Sequence, residues 1–251
     1  MSFFDSFLKD LEGADLAVFD IDNTIVRGRV ANSVSSLIRE ERSFGRTRNY
    51  LRGICGEAEV ALGTVIKSIS KSVVNSENWG LNKVLEILGN ARISRDRIEK
   101  ASENYYDTHK VSGFEDLKDI LRKDYDTDMY LSSWSADVFV TPVARKVGAV
   151  GSTSQRTKYL NDCPIGLGVV LKSDEGKFIQ TYTDLNEMGY SLKNSIYFGD
   201  GYNYTPFRGH VKQLISSPLA KPELKRVANF KLNRFTHDYS WLANQLKNSA
   251  Y

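Results

Sequence analysis

Long apolar runs are missing from this chain of 251 residues. No stretch approaches the roughly 18 residues that a membrane-spanning helix requires, so no membrane partner is expected. Cysteine is nearly absent. Cys55 and Cys163 stand far apart, which leaves a disulfide framework and a cysteine-built zinc site without support. Histidine is as scarce, and His109, His210 and His237 are too scattered to be read as metal ligands. Neither sign of charge dominates: 34 Lys+Arg against 31 Asp+Glu leave a net +3. That balance suits an anionic small molecule and gives no ground for expecting nucleic acid. A basic leader is also missing. The stretch from Met1 to Leu11 is amphipathic and carries acids, so it reads as a short helix on the core, and the expected location is cytoplasmic.

What is present starts with Leu16-Ala17-Val18-Phe19-Asp20-Ile21-Asp22-Asn23-Thr24. The apolar part has the length and composition of a buried strand. Asp20 and Asp22 are two apart and project to one side of an extended chain, at the strand end where open α/β sheets bind ligands. Like charges held that close resist joint ionisation. Such a pair suits a carboxylate nucleophile beside a general acid/base, or a divalent metal site. A calcium loop is excluded, because Ile25 stands where the sharp turn needs glycine.

From residue 27 to 110 proline is absent and apolar residues recur at helical spacing, as in Val60, Val65, Ile66 and Ile69, or Leu81, Val84, Leu85 and Leu88. Asn32-Ser33 and Ser94-Arg95-Asp96 are candidate helix starts. This stretch is expected to be a helical insertion into a core made of residues 1–26 and 111–251. In the core, further strands are expected at Asp128 to Ser133, Ala149 to Gly151, Ser195 to Asp200 and Lys212 to Ser217. Helices are expected at Phe114 to Leu121, Asp137 to Val147, about Phe178 to Met188, Lys221 to Ala228 and Tyr239 to Lys247. Pro142 is tolerable only in the first turn of its helix or at a kink. Residues 152–176 read as a turn-rich flap. The alternation predicts an α/β fold: a three-layer, doubly wound parallel sheet with right-handed crossovers.

Three predicted strands thus end in chemistry, at Asp20 and Asp22, at Ser133 and at Asp200. With these residues on the page, the sequence resembles the haloacid dehalogenase-like (HAD) phosphatases, in particular the phosphoserine-phosphatase-like branch with a helical cap. Asp20-Ile21-Asp22-Asn23-Thr24 resembles the first motif of that family, Leu131-Ser132-Ser133-Trp134-Ser135 the second, and Gly199-Asp200-Gly201-Tyr202-Asn203 the start of the fourth. Lys177 stands where the family keeps its lysine, with Lys172 as the competing position. The resemblance implies a phosphomonoester hydrolase acting through an aspartyl-phosphate on Asp20, with Asp22 as general acid/base. It implies Ser133 and Lys177 as phosphate holders, and Mg²⁺ on Asp20, the Asp22 main-chain carbonyl and Asp200. The partner it implies is a small phosphorylated metabolite, with the cap closing over the site.

Two departures bear on function. The second acid of the fourth motif is replaced by Tyr204, with Asn203 as a neighbouring oxygen donor; this keeps open an impaired binding or regulatory relative, beside a phosphotransferase. Arg29 stands where phosphoserine phosphatases carry a glutamate for the substrate amino group, with Arg27 nearby. Arg29 is therefore a candidate contact for a second anionic group, although Arg42 to Arg52 also fit a solvated helix face. Trp134 is a candidate pocket wall.

Overall fold

The computed structural model describes residues 3–34, 37, 73–221, 228–232 and 238–249. Its strands are β1 (Leu16–Phe19), β2 (Asp128–Ala136), β3 (Gly151–Gln155), β4 (Thr157–Leu160), β5 (Cys163–Leu167), β6 (Ser195–Gly199), β7 (Gln213–Ser216) and β8 (Phe230–Lys231). The helices are α1 (Phe3–Glu12), α2 (Val73–Asn90), α3 (Arg95–His109), α4 (Phe114–Tyr125), α5 (Asp137–Val147), α6 (Asp174–Glu187) and α7 (Ser240–Ser249). None of the described helices is long and apolar enough to cross a membrane.

β1 is apolar at every position and wholly buried. A strand of that kind needs cover on both faces. It sits inside a six-stranded sheet of order β3-β2-β1-β6-β7-β8, paired in parallel throughout. Alternation sends Ala17 and Phe19 into one cluster with Phe7, Phe114, Phe139 and Leu242. Leu16 and Val18 go to the other face with Tyr197, Leu185 and Phe207. Phe19 stacks on Phe198 of the neighbouring strand, 4.3 Å between ring centroids, and Phe114 meets Phe19 edge-on at 5.4 Å. Among the described residues α6 is the long helix that covers the second face, through Leu185 and the partly buried Phe178.

The two ends of the stretch 27–110 lie side by side. The Arg27 N–H donates to the His109 carbonyl at 2.7 Å and the Val111 N–H to that of Ile25 at 2.9 Å. Val26 and Lys110 form an antiparallel bridge between them. Ser94 precedes α3 as its N-cap, as expected, whereas Asn32-Ser33 lies inside a short 3₁₀ turn, Val30–Ser33. Leu85 and Leu88 of α2 are buried, and α3 packs on α5. The sets at Val60 to Ile69 and Arg42 to Arg52, with Cys55, His237 and the core of the helix expected at Lys221 to Ala228, lie outside the described residues.

Several elements differ from the sequence reading. The third strand begins where it was expected to end, at Gly151, and runs to Gln155. The flap contains an antiparallel hairpin, β4–β5, which packs on α2 and is pinned by the Leu167 N–H on Asn82 Oδ1 at 2.8 Å. α6 starts at Asp174, one turn earlier than expected, because Ser173 caps it by accepting the Gly176 N–H at 3.0 Å. Pro142 is the sixth residue of α5, past the first turn, where its missing N–H leaves one carbonyl without its helical donor. The edge strand β8 was not foreseen; two residues carry no readable alternation.

Candidate active site

Asp20 follows the last residue of β1 and extends its ladder, donating its N–H to the Phe198 carbonyl at 2.9 Å. Its Oδ1 accepts the Ile21 N–H at 2.9 Å. On the same oxygen lies Lys177 Nζ at 3.3 Å, with the lysine side chain fully buried and that of Asp20 only 5% exposed. Burial pulls Lys177 down, but the Asp20 charge and then the Tyr197 hydroxyl outweigh it, so the ammonium is held above its ordinary value. Lys172 is exposed, and Lys177 is the lysine that reaches the strand end.

After Asp20 the chain folds on itself. The N–H groups of Thr24, Ile25 and Val26 all converge on the Ile21 carbonyl. Asn23 takes a left-handed conformation, φ 55°, which asparagine tolerates better than most residues. It exchanges two hydrogen bonds with Gly28: its N–H donates to the Gly28 carbonyl at 3.1 Å, and its side-chain oxygen accepts the Gly28 N–H at 3.0 Å. Gly28 is also left-handed, φ 85°, and a Cβ there would meet the Tyr105 hydroxyl. This knot brings Val30 back to Asp22, whose Oδ1 accepts the Val30 N–H at 2.8 Å. Asp22 is half-buried. Desolvation lifts its carboxyl to about 7, helped by the charges of Asp20 and Asp200 and opposed by the Val30 N–H and Arg29.

Asp200 follows β6, and its carbonyl accepts the Lys221 N–H at 2.9 Å. Burial first, then the Asp20 charge, push its carboxyl up to about 6, while Lys221, an Asn23 side-chain hydrogen bond and Lys177 draw it down. Ser133 is buried, and its Oγ accepts the Ser135 N–H at 3.1 Å, leaving the hydroxyl proton free to donate elsewhere. Its strand does not stop at the hydroxyls as expected. β2 runs on to Ala136 with a register shift against β3 between Ser132 and Ala136, but it pairs with β1 only as far as Leu131 opposite Phe19. Ser133 therefore lies beyond the end of β1, level with Asp20 and its successors.

The structure thus joins Asp20 to Lys177 directly and sets Asp22 and Asp200 within electrostatic reach of Asp20. Arg29 is exposed and acts on Asp22, and Trp134 is half-buried beside Ser133. Asn203 and Tyr204 fall in a 3₁₀ turn, Tyr202–Phe207, but their side chains lie outside the described residues. Three contributors were not read from the sequence. Val30 works through its backbone, and Ser217 holds the Asn23 carbonyl through its Oγ at 3.0 Å; neither leaves a pattern in a single chain. Tyr197 is buried beside Lys177, and an aromatic inside an apolar strand reads as core.

Among the described residues no three His, Cys, Asp or Glu side chains cluster as a ready metal cage. A hard cation nonetheless fits the donors. Asp20 and Asp200 are two buried carboxylates whose mutual repulsion appears in the raised Asp200, and oxygen ligands suit Mg²⁺.

The parallel sheet, with acids beyond its strand ends, has a fold similar to that of phosphoserine phosphatases of known structure. No protein-family model matches the sequence, and no curated protein matches it. The structure is similar to apo phosphoserine phosphatase, with a TM-score of 0.64 and 17% identity over 92% of this chain and 98% of that one. It is similar to a phospho-aspartyl intermediate analogue of phosphoserine phosphatase, TM-score 0.64 at 18% identity, over 94% and 98% of the two chains. A probable phosphoserine phosphatase from Vibrio cholerae gives 0.63 at 16% identity, over 94% of this chain and 68% of that one.

Proposed function

We propose that this chain is a Mg²⁺-dependent phosphatase acting on a small phosphomonoester, with residues 27–110 as a helical cap over the core. The observation that carries the reading is the fully buried Lys177 ammonium 3.3 Å from Asp20. Burying a charged pair is costly and adds little to stability by itself, so its placement at the end of β1 supports a role in chemistry.

In this reading an Asp20 oxygen attacks phosphorus. The bond to the leaving oxygen breaks, and an aspartyl-phosphate forms, as the name of one structural neighbour describes for that protein. Asp22 gives its proton to the leaving alcohol and later takes one from the water that cleaves the acyl phosphate. A carboxyl near 7 is suited to both steps. The Ser133 hydroxyl donates to a phosphoryl oxygen, and Lys177 balances the charge of that group. Asp20, Asp200 and the Asp22 main-chain carbonyl would hold Mg²⁺, which when bound offsets phosphoryl charge and the repulsion between the two acids. Arg29 and Trp134 face the incoming substrate, and Arg29 argues against the amino group of phosphoserine.

Purified protein is expected to hydrolyse 4-nitrophenyl phosphate with Mg²⁺, and Asp20→Asn to remove that activity. Full activity in Asp20→Asn would end the reading. Tyr204 motivates a second one, a binding or regulatory protein that has lost turnover. There Tyr204→Asp would create activity in a silent wild type. Alcohols added to the assay separate hydrolysis from phosphoryl transfer, because a phosphotransferase would yield the alkyl phosphate.

A further inference from the structure

Lys177 reaches the site from the first turn of α6, where the positive end of the helix dipole disfavours a cation. Something must therefore hold that helix in register with the sheet, and apolar packing is poorly suited to the task because it is non-directional. The directional contacts lie one turn further on. The Thr181 hydroxyl donates to the Lys177 carbonyl at 2.9 Å, and Thr181 Oγ1 lies 2.9 Å from Ser132 Oγ. Lys177, Thr181 and Ser132 are all fully buried. Ser132 is the chain neighbour of Ser133, on the opposite face of β2 by strand alternation. One hydroxyl–hydroxyl contact thus spans from the backbone of the lysine to the strand that carries the serine. Tyr197, fully buried on β6, faces both Lys177 and Ser132. A second contact point repeats the theme two residues away on β2 and three away on α6, with β3 joining in: Asp184 Oδ2 accepts from Tyr130 Oη at 3.1 Å and from Thr153 Oγ1 at 2.7 Å.

We propose that Ser132 and Thr181 are positioning residues, whose buried hydrogen bond locks the Ser133 strand and the Lys177 helix into a single phosphate-gripping body. The proposal rests on the phosphate roles given above to Ser133 and Lys177. The hydrogen bond does not touch substrate; it sets the distance between the two groups that do. A shift of about 1 Å in such a pair can cost on the order of 100-fold in rate, and loss of one hydrogen bond should permit part of that shift.

The test compares Thr181→Val, Thr181→Ser and Ser132→Ala with the wild type. Two quantities are read: turnover of 4-nitrophenyl phosphate with Mg²⁺, and calorimetric binding of inorganic phosphate. Thr181→Val and Ser132→Ala are each expected to weaken phosphate binding and kcat/KM by roughly ten-fold. Thr181→Ser, which keeps the hydroxyl, should restore both. The double variant Ser132→Ala/Thr181→Val should fall no further than either single change, because both remove the same bond. A variant that melts earlier yet binds phosphate and turns over as the wild type does overturns the proposal. Should Thr181→Val fail to fold, Ser132→Ala carries the same comparison, with unchanged phosphate affinity as the overturning result. A wild type that binds phosphate without turnover overturns the phosphatase reading alone, and weaker binding in the variants then upholds the lock. A wild type that does neither overturns both.

Discussion

The two faces of the central sheet are built on different principles. One face is almost purely apolar: Phe19, Phe198, Phe114, Tyr239 and Leu242 fill it, and α1, α4 and α7 lie against it. The other face has a smaller apolar cluster and a row of hydroxyls and charges aimed at α6: Ser132, Tyr130, Thr153 and, at the strand end, Asp20. Apolar burial scales with area and tolerates small slides, whereas a hydrogen bond weakens steeply with misalignment. The first face therefore secures the fold and the second secures the register of the element that delivers Lys177. The polar contacts are concentrated under the helix that carries Lys177.

That contrast can be broken from either side. The largest loss of stability is expected on the apolar face. Phe114→Ala removes a fully buried ring and should cost about 3–5 kcal/mol by chemical denaturation, while under the proposed function the KM of the surviving folded protein for 4-nitrophenyl phosphate stays unchanged. On the polar face Asp184→Leu leaves the buried Tyr130 and Thr153 hydroxyls with only each other as partners, so one proton loses its acceptor. About 1–3 kcal/mol should be lost there, and kcat should fall as well, a pairing the apolar face does not show. Gly113 lies at a left-handed N-cap, φ 74°, where a Cβ would strike the Ser240 backbone at the start of α7. Gly113→Ala is expected to cost about 1–3 kcal/mol, read as a lowered Tm with activity per folded molecule unaltered.

The smallest effect is electrostatic and lies away from the sheet. Glu99 accepts from Arg95 at 2.5 Å and pairs with Arg145 at 2.5 Å, joining α3 to α5. Burial raises the Glu99 carboxyl, but the two guanidinium groups outweigh it and hold it below the ordinary glutamate value. A depressed carboxyl contributes stability above its unfolded pKa and loses it as pH falls through the folded one. Lowering the pH from 7 to below about 4 should thus remove well under 1 kcal/mol, since both arginines are half-exposed and screened. Glu99→Gln should flatten that part of the stability profile measured by denaturation.

Much of the candidate site was legible because strand chemistry is local. Asp20, Asp22, Ser133 and Asp200 each follow a short apolar run, and the period of two says which way they project. Lys177 was legible only through the family resemblance, since nothing local distinguishes it from Lys172 until burial does. The β4–β5 hairpin escaped because β4 and β5 mix exposed and buried positions around Pro164 and Gly166, without clean alternation. The Asn23–Gly28 knot escaped because it depends on two left-handed residues, which sequence permits at many places and requires at few. The Ser132–Thr181 bond joins residues 49 apart, a separation at which one sequence carries no signal.

The neck formed by Ile25 to Arg27 against His109 to Val111 has a mechanical meaning. Asp22 hangs its carboxyl on Val30, which stands beyond that neck, while its backbone belongs to the core side. The Val30 N–H favours the charged carboxylate of Asp22 and reaches it from the far side of this hydrogen-bonded neck. The acidity of Asp22 therefore depends on how residues 27–30 are held as well as on the strand end that carries it.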